Sequence, residues 1–231
     1  MLKGLQKLTL LDFPTKIAAT VFFGGCNLRC PFCHNASLVI PDRVRTSQDL
    51  DEEEFFNFLN KRRGILEGVC VSGGEPTLYD SLPSFIKRIK ELGYLVKLDT
   101  NGTRPAMLEK LISEGLVDYV AMDIKNSLER YPLTVGVESF STDDVADSAA
   151  ILMSGRVDFE FRTTLINPLH REEDMHSIGR WLSGPEKFFL QTFIDSGDLI
   201  SSKFGGYDKN DTLLLLNVLK RYIPNAELRG E

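Results

Sequence analysis

Three cysteines, Cys26, Cys30 and Cys33, stand within eight residues as Cys-x3-Cys-x2-Cys in the stretch GGCNLRCPFCHN. The stretch directly follows a strand-like run over residues 17–23, so three thiols share one short loop and can face a single metal centre. Thiolates are the usual ligands of iron–sulfur clusters, and an ordinary [4Fe-4S] cluster takes four of them. A structural zinc site also wants four ligands, typically from two separated pairs. Three ligands leave one metal position open, and an open position is where chemistry happens. Two plainer readings stand beside this one: a zinc loop completed by His34 or Cys70, or a set of small buried residues. His34 adjoins Cys33, and adjacent residues rarely converge on one metal. Cys70 lies in the apolar run 68–72, where a cysteine is more often a small core hydrophobe.

Four further groups of residues could do chemistry. SGGEPTL (72–78) joins two glycines, which let a ligand approach the backbone, to Glu75, a carboxylate suited to an ammonium or a ribose. A simple strand-to-helix turn would look the same. DTNG (99–102) contains an Asn-Gly turn signal, yet Asp99 and Thr100 can also hold an ammonium or a cation. MDIK (122–125) sets Asp123 and Lys125 on one side of a continuing strand. Such pairs are most often surface pairs, but Lys125 is well suited to a ligand carboxylate. FRTT (161–164) puts Arg162 in an otherwise apolar stretch. A buried arginine needs a partner, which a ribose, a carboxylate or a protein acid could provide.

These residues punctuate a chain that alternates strand and helix. Strand-like runs cover residues 17–23, 68–72, 95–99, 119–124, 158–165 and 187–193. Leu82, Phe85, Ile86 and Ile89 repeat at helical spacing, as do Leu108, Leu111 and Ile112. Residues 51–61, 143–153, 172–182 and 211–222 also read as helices, and Gly93, Gly115 and Gly155 mark helix ends. Six strand–helix units with apolar strands predict a parallel sheet covered by helices. Both an open doubly wound sheet and a barrel satisfy the crossover rule, and the pattern does not choose. In a barrel, the polar groups would all stand at the strand ends where such folds place their sites. The loops 37–48 and 196–210 would share that rim and are expected to be the mobile parts.

The 231 residues fit one domain, 1–231. With 27 Lys+Arg against 33 Asp+Glu, the net charge of −6 favours no nucleic-acid partner. The longest leucine block, residues 213–216, is far below the roughly 20 residues of a membrane span. The opening MLKGLQKLTLLDFP lacks a signal peptide's apolar stretch, and a cytoplasmic protein is expected. Four cysteines, three on one loop, make no disulfide framework at this size and point to metal binding or reactivity.

The cysteine loop resembles that of the radical SAM superfamily, whose three cysteines hold a [4Fe-4S] cluster. The fourth iron of that cluster binds the amino and carboxylate groups of S-adenosylmethionine. GGE at 73–75, DTNG, the Asp123-x-Lys125 pair, and Phe32 followed by His34-Asn35 are similar to the motifs of glycyl-radical-enzyme activases. The stretch DFPTKIAATVFFGGCNLRCPFCHN looks most like the longer activating proteins of anaerobic (class III) ribonucleoside-triphosphate reductase. The resemblance runs from about residue 5 to about residue 195. It implies a partial, open (β/α)6 barrel with a cluster on Cys26, Cys30 and Cys33. It also implies S-adenosylmethionine contacts from Phe32, Gly73, Gly74, Glu75, Asp99, Thr100, Asp123, Lys125 and Arg162, with a monovalent cation beside Asp123. The implied reaction is reductive cleavage of S-adenosylmethionine to methionine and a 5′-deoxyadenosyl radical, which takes hydrogen from a glycine on the partner. Flavodoxin or ferredoxin would supply the electron, and the partner's glycine loop would enter between 37–48 and 196–210.

Departures from the resemblance carry information. Residues 36–69 contain no cysteine, so a second cluster is not expected. The pyruvate formate-lyase activase has Gly-Pro-Gly ahead of its cysteines, where this chain has Leu11-Asp12-Phe13-Pro14-Thr15. LQTF (190–193) lacks a histidine that some relatives place nearby, which leaves the adenine contacts open. Three alternatives follow: an activase of another glycyl radical enzyme such as pyruvate formate-lyase, a small-molecule radical SAM enzyme, or a non-catalytic iron–sulfur or zinc-binding protein. The last leaves the series of strand-end motifs unexplained.

Overall fold

The structure, a computed structural model, describes residues 2–184, 187–195 and 197–230. Its strands are β1 (Leu2–Thr9), β2 (Ala18–Phe23), β3 (Gly68–Gly73), β4 (Leu95–Thr100), β5 (Tyr119–Asp123), β6 (Asp158–Leu165), β7 (Phe188–Thr192) and β8 (Glu227–Arg229). All eight join one sheet in sequence order. β1 runs antiparallel to β2, and every later neighbour is parallel. A doubly wound sheet reverses its strand order at a switch point. Here the order never reverses, so each crossover adds a strand to the same edge. The two edge strands, β1 and β8, do not pair with each other, and the result is the open partial barrel.

Nine helices among the described residues complete the α/β pattern: α1 (Ala36–Val39), α2 (Pro41–Thr46), α3 (Glu52–Lys61), α4 (Leu82–Glu91), α5 (Pro105–Ser113), α6 (Tyr131–Val135), α7 (Asp143–Met153), α8 (Glu172–Trp181) and α9 (Lys209–Lys220). Asp51 starts α3 by accepting from the Glu54 amide, and Asp208 starts α9 by accepting from the Asp211 amide. Each such cap is worth about 1 kcal/mol. The Asp208 cap explains why α9 begins two residues before the expected 211. Gly93, Gly115 and Gly155 do close helices, with φ of +90°, +65° and +73°.

Alternation along the strands separates two interiors. Val96 and Leu98 face outward and are fully buried, as are Val69, Val71 and Val120. They belong to the same apolar core as Phe55, Phe85 and Ile86. Phe55 stacks on Phe85 at 5.4 Å, and Phe23 meets Phe85 edge-on at 5.4 Å. The alternate positions face inward and include a polar series, Thr20, Ser72, Lys97 and Asp99, Asp123, then Glu160 and Arg162, beside a small apolar cluster of Phe13, Ala18 and Tyr119. Helix–sheet packing is thus the main apolar core, and the charged side chains gather inside the barrel.

The structure departs from expectation at the edges. β1 and β8 were not anticipated, since LKGLQKLT does not alternate cleanly and ELR is three residues long. Residues 37–48 are not a bare loop: Pro41 opens α2 and Ser47 ends it in extended backbone. This segment also meets the other one expected to be mobile. The Ala36 amide donates to the Asp198 carbonyl at 3.2 Å, the Ser37 amide to Asp198 Oδ2 at 2.9 Å, and Arg43 pairs with Asp198 at 3.0 Å. The rim expected to stand open between them is bridged there. Ser196, the first residue of the 196–210 expectation, lies outside the described residues.

Candidate active site

A cavity of about 340 Å³ opens where β2 to β7 end, and the cysteine loop forms one wall. Cys26, Cys30 and Cys33 all line it, with Phe32 and His34 between and beside them. The Arg29 side chain and α6 hold the loop: Arg29 Nη1 donates to the Cys26 and Leu28 carbonyls at 2.7 Å each, and the Arg29 amide donates to the Val135 carbonyl at 2.9 Å. Burial pushes the Cys26 thiol up to about 11 and the Cys30 thiol up to about 12, and raises Cys33 as well. Unmetallated, these groups stay protonated at neutral pH.

The donor set fits an iron–sulfur cluster. The Leu28 amide at 3.4 Å and Asn101 Nδ2 at 3.7 Å both point at Cys26 Sγ, an arrangement that suits a thiolate. Among the described residues, no three His, Cys, Asp or Glu side chains converge on a point where one metal ion could sit. Cys70 does not line the cavity. It is fully buried on β3, with its sulfur 3.8 Å from Lys97 Nζ.

The next wall is made by close approach of two loops. The Gly74 amide donates to the Phe23 carbonyl and the Glu75 amide to the Gly25 carbonyl, each at 2.8 Å. A Cβ on Gly73 would sit 2.2 Å from the Phe23 carbonyl oxygen, and one on Gly74 would sit 2.0 Å from that of Gly25. Gly73 also has φ of +129°. Both glycines line the cavity, so their backbone is what a ligand meets there.

The same cavity holds a row of charges. Lys125 Nζ is 2.9 Å from Asp123 Oδ2, and Arg162 reaches Asp123 Oδ1 at 3.0 Å and Asp99 Oδ2 at 3.6 Å. Lys97, which is 1 % exposed, pairs with Asp99 Oδ1, and Ser72 Oγ donates to Asp99 Oδ2 at 3.0 Å. Burial would raise both acids, but Arg162 and the two lysines outweigh it and hold both below the usual carboxylate range. Burial would likewise lower Lys125, and the Asp123 carboxylate reverses this. Of the cations in this row, Lys125 and Arg162 line the cavity and Lys97 does not. Both oxygens of Asp123 already have cationic partners, so a monovalent cation there would have to displace one.

One expected contact is displaced. Glu75 is fully buried and does not line the cavity. Its Oε1 accepts from the Thr77 amide at 3.1 Å, Thr77 Oγ1 at 2.5 Å and Thr100 Oγ1 at 2.8 Å. Its Oε2 accepts from the Asn101 amide at 2.6 Å. The carboxylate therefore bolts the loop after β3 to the end of β4 and the loop that follows it. Thr100 still lines the cavity, although its hydroxyl serves Glu75. Sequence reasoning missed Asn101 and Lys97. Lys97 carried a signal, because its two-residue offset from Asp99 sets both on one strand face.

The profile of the radical SAM superfamily matches residues 20–178 of the chain. A Methanocaldococcus jannaschii protein, whose name assigns it provisionally to the glycyl-radical enzyme activating enzymes, is 30% identical over 99% of this chain and 95% of its own length. The pyruvate formate-lyase-activating enzyme of Clostridium pasteurianum is 32% identical over 53% of this chain and 51% of its own length. A domain of the pyruvate-formate lyase-activating enzyme from Bacteroides vulgatus superposes with a TM-score of 0.58 at 17% identity, over 71% of this chain and 99% of that domain, which shows a shared fold. The chain belongs to the radical SAM superfamily, among its glycyl-radical-enzyme activating enzymes.

Proposed function

We propose that this enzyme places a glycyl radical on anaerobic (class III) ribonucleoside-triphosphate reductase in the cytoplasm, using a [4Fe-4S] cluster, S-adenosylmethionine and an electron donor such as flavodoxin or ferredoxin. The observation that carries the reading is one cavity with three thiols on one wall and the row Lys125, Asp123, Arg162, Asp99 on another. Cys26, Cys30 and Cys33 would hold the cluster. The chemistry such a cluster would supply there is the one-electron reduction of S-adenosylmethionine, which would lead to hydrogen removal from a glycine Cα of the partner.

The protein's own part is binding and orientation. Lys125 receives the cofactor carboxylate, and Asp99 with the exposed backbone of Gly73 and Gly74 receives its ammonium. Arg162 bridges the two acids and so fixes the spacing between these two contacts. Phe32, 5 % exposed between Cys30 and Cys33, screens the thiol wall from water.

Reduced, reconstituted protein should convert S-adenosylmethionine to methionine and 5′-deoxyadenosine. Adding the class III reductase should produce a glycyl-radical doublet in electron paramagnetic resonance. Cleavage without that doublet overturns the partner. The Clostridium relative favours a second reading, activation of pyruvate formate-lyase, and a doublet on that enzyme in its place would establish it. No cleavage at all would leave a non-catalytic iron–sulfur protein.

A further inference from the structure

Lys125 stands past the end of β5, which closes at Asp123, so the strand ladder no longer holds its peptide. The last ladder-like contacts belong to Ile124: its amide donates to the Arg162 carbonyl at 2.8 Å, and its carbonyl accepts from Thr163 Oγ1 at 2.7 Å. One residue later, two buried side chains take over. The Lys125 amide donates to the Tyr131 hydroxyl at 3.1 Å, and that hydroxyl donates to the Asp123 carbonyl at 3.2 Å. The Lys125 carbonyl lies 2.8 Å from His170 Nε2.

The roles at His170 follow from its other nitrogen. Nδ1 accepts the Ile166 amide at 3.0 Å, so it carries no proton. Nε2 then carries it and donates to Lys125. The ring is 1 % exposed, and its burial favours the neutral form that this tautomer requires. Tyr131 is fully buried on α6. A second strut lies beside the first, since Asn126 Nδ2 donates to the Leu169 carbonyl at 3.1 Å. The segment holding Leu169 and His170, beyond β6, therefore holds the backbone of residue 125 and the side chain of residue 126.

We propose that His170 and Tyr131 are positioning residues that fix the Lys125 peptide from both sides and thereby aim its ammonium at the cofactor carboxylate. Neither side chain lines the cavity, so each acts through Lys125. The inference rests on the reading of Lys125 as the carboxylate contact.

The test uses the reconstituted holoenzyme and an anaerobic titration with S-adenosylmethionine, following both calorimetric affinity and the change in the reduced cluster's electron paramagnetic resonance signal. His170→Leu and Tyr131→Phe should each weaken binding about tenfold, with iron content unchanged. His170→Gln, which keeps an N–H donor, should recover most of the loss. Combining His170→Leu with Lys125→Met should bind no worse than Lys125→Met alone. Unchanged affinity in both single variants overturns the inference, as does an additive loss in the double variant. Should His170→Leu fail to fold, Tyr131→Phe alone and combined with Lys125→Met decides by the same criteria. Unchanged affinity in Lys125→Met overturns the underlying reading of the site and the inference with it.

Discussion

Glu75→Gln separates a structural carboxylate from a ligand-binding one. Each oxygen of Glu75 faces a backbone donor that cannot turn around: the Thr77 amide on Oε1 and the Asn101 amide on Oε2. Glutamine must present its NH2 group to one of them. The better orientation keeps the carbonyl oxygen on the three-donor side and sets N–H against the Asn101 amide. One buried donor is then unsatisfied, at about 1–3 kcal/mol, and the remaining bonds lose their charge assistance. Burial raises the Glu75 carboxyl, so losing the charge returns part of this. The net expectation is about 2–3 kcal/mol of destabilisation. For a chain of 231 residues, that corresponds to a fall in Tm of roughly 4–12 °C. The assay is urea unfolding of the metal-free protein with no cofactor present, where the midpoint should fall while the slope stays constant. Were Glu75 a cofactor contact instead, the metal-free variant would match wild type and only S-adenosylmethionine binding would weaken. That outcome would refute the bolt between the two loops.

Three further expectations follow from the geometry. Cys70→Ala should reconstitute to wild-type iron content, because this thiol faces Lys97 and not the cavity; loss of iron would make it a ligand. Gly74→Ala drives a methyl to 2.0 Å from the Gly25 carbonyl, so the two loops must part. It should lower stability by about 3 kcal/mol, the upper range for overpacking, and a wild-type urea midpoint would contradict this. In acid, burial would raise Asp99 and Asp123, but Arg162 and Lys125 lead the opposing charges and hold both low. Depressed carboxyls stabilise fully above their unfolded pKa, near 4, and lose that contribution as pH falls below it. Urea midpoints should therefore drop steeply from about pH 4 downward, and Asp123→Asn should flatten that limb; an identical limb in the variant would refute the assignment.

The sequence alone determined what is local. Cysteine spacing put three thiols on one loop, alternation of strand and helix required a parallel sheet, and Gly93, Gly115 and Gly155 stopped their helices at positive φ. The inward faces of Asp99, Asp123 and Arg162 were also legible, because a side chain's face follows from its parity in the strand, whereas Lys125 stands past the end of β5 and escapes that rule. Tertiary structure decided what depends on partners far apart in the chain. Strand order chose an open barrel over a doubly wound sheet, since both share the same local pattern. Glu75 looked like a ligand contact until the fold set its carboxylate under the Thr100 hydroxyl and the Asn101 amide, 25 and 26 residues away. His170 stands 45 residues from Lys125, and no periodicity in the chain announces that one holds the other. Hydrogen bonds of that separation are fixed by where the fold brings two backbones together, and that is information the linear pattern does not contain.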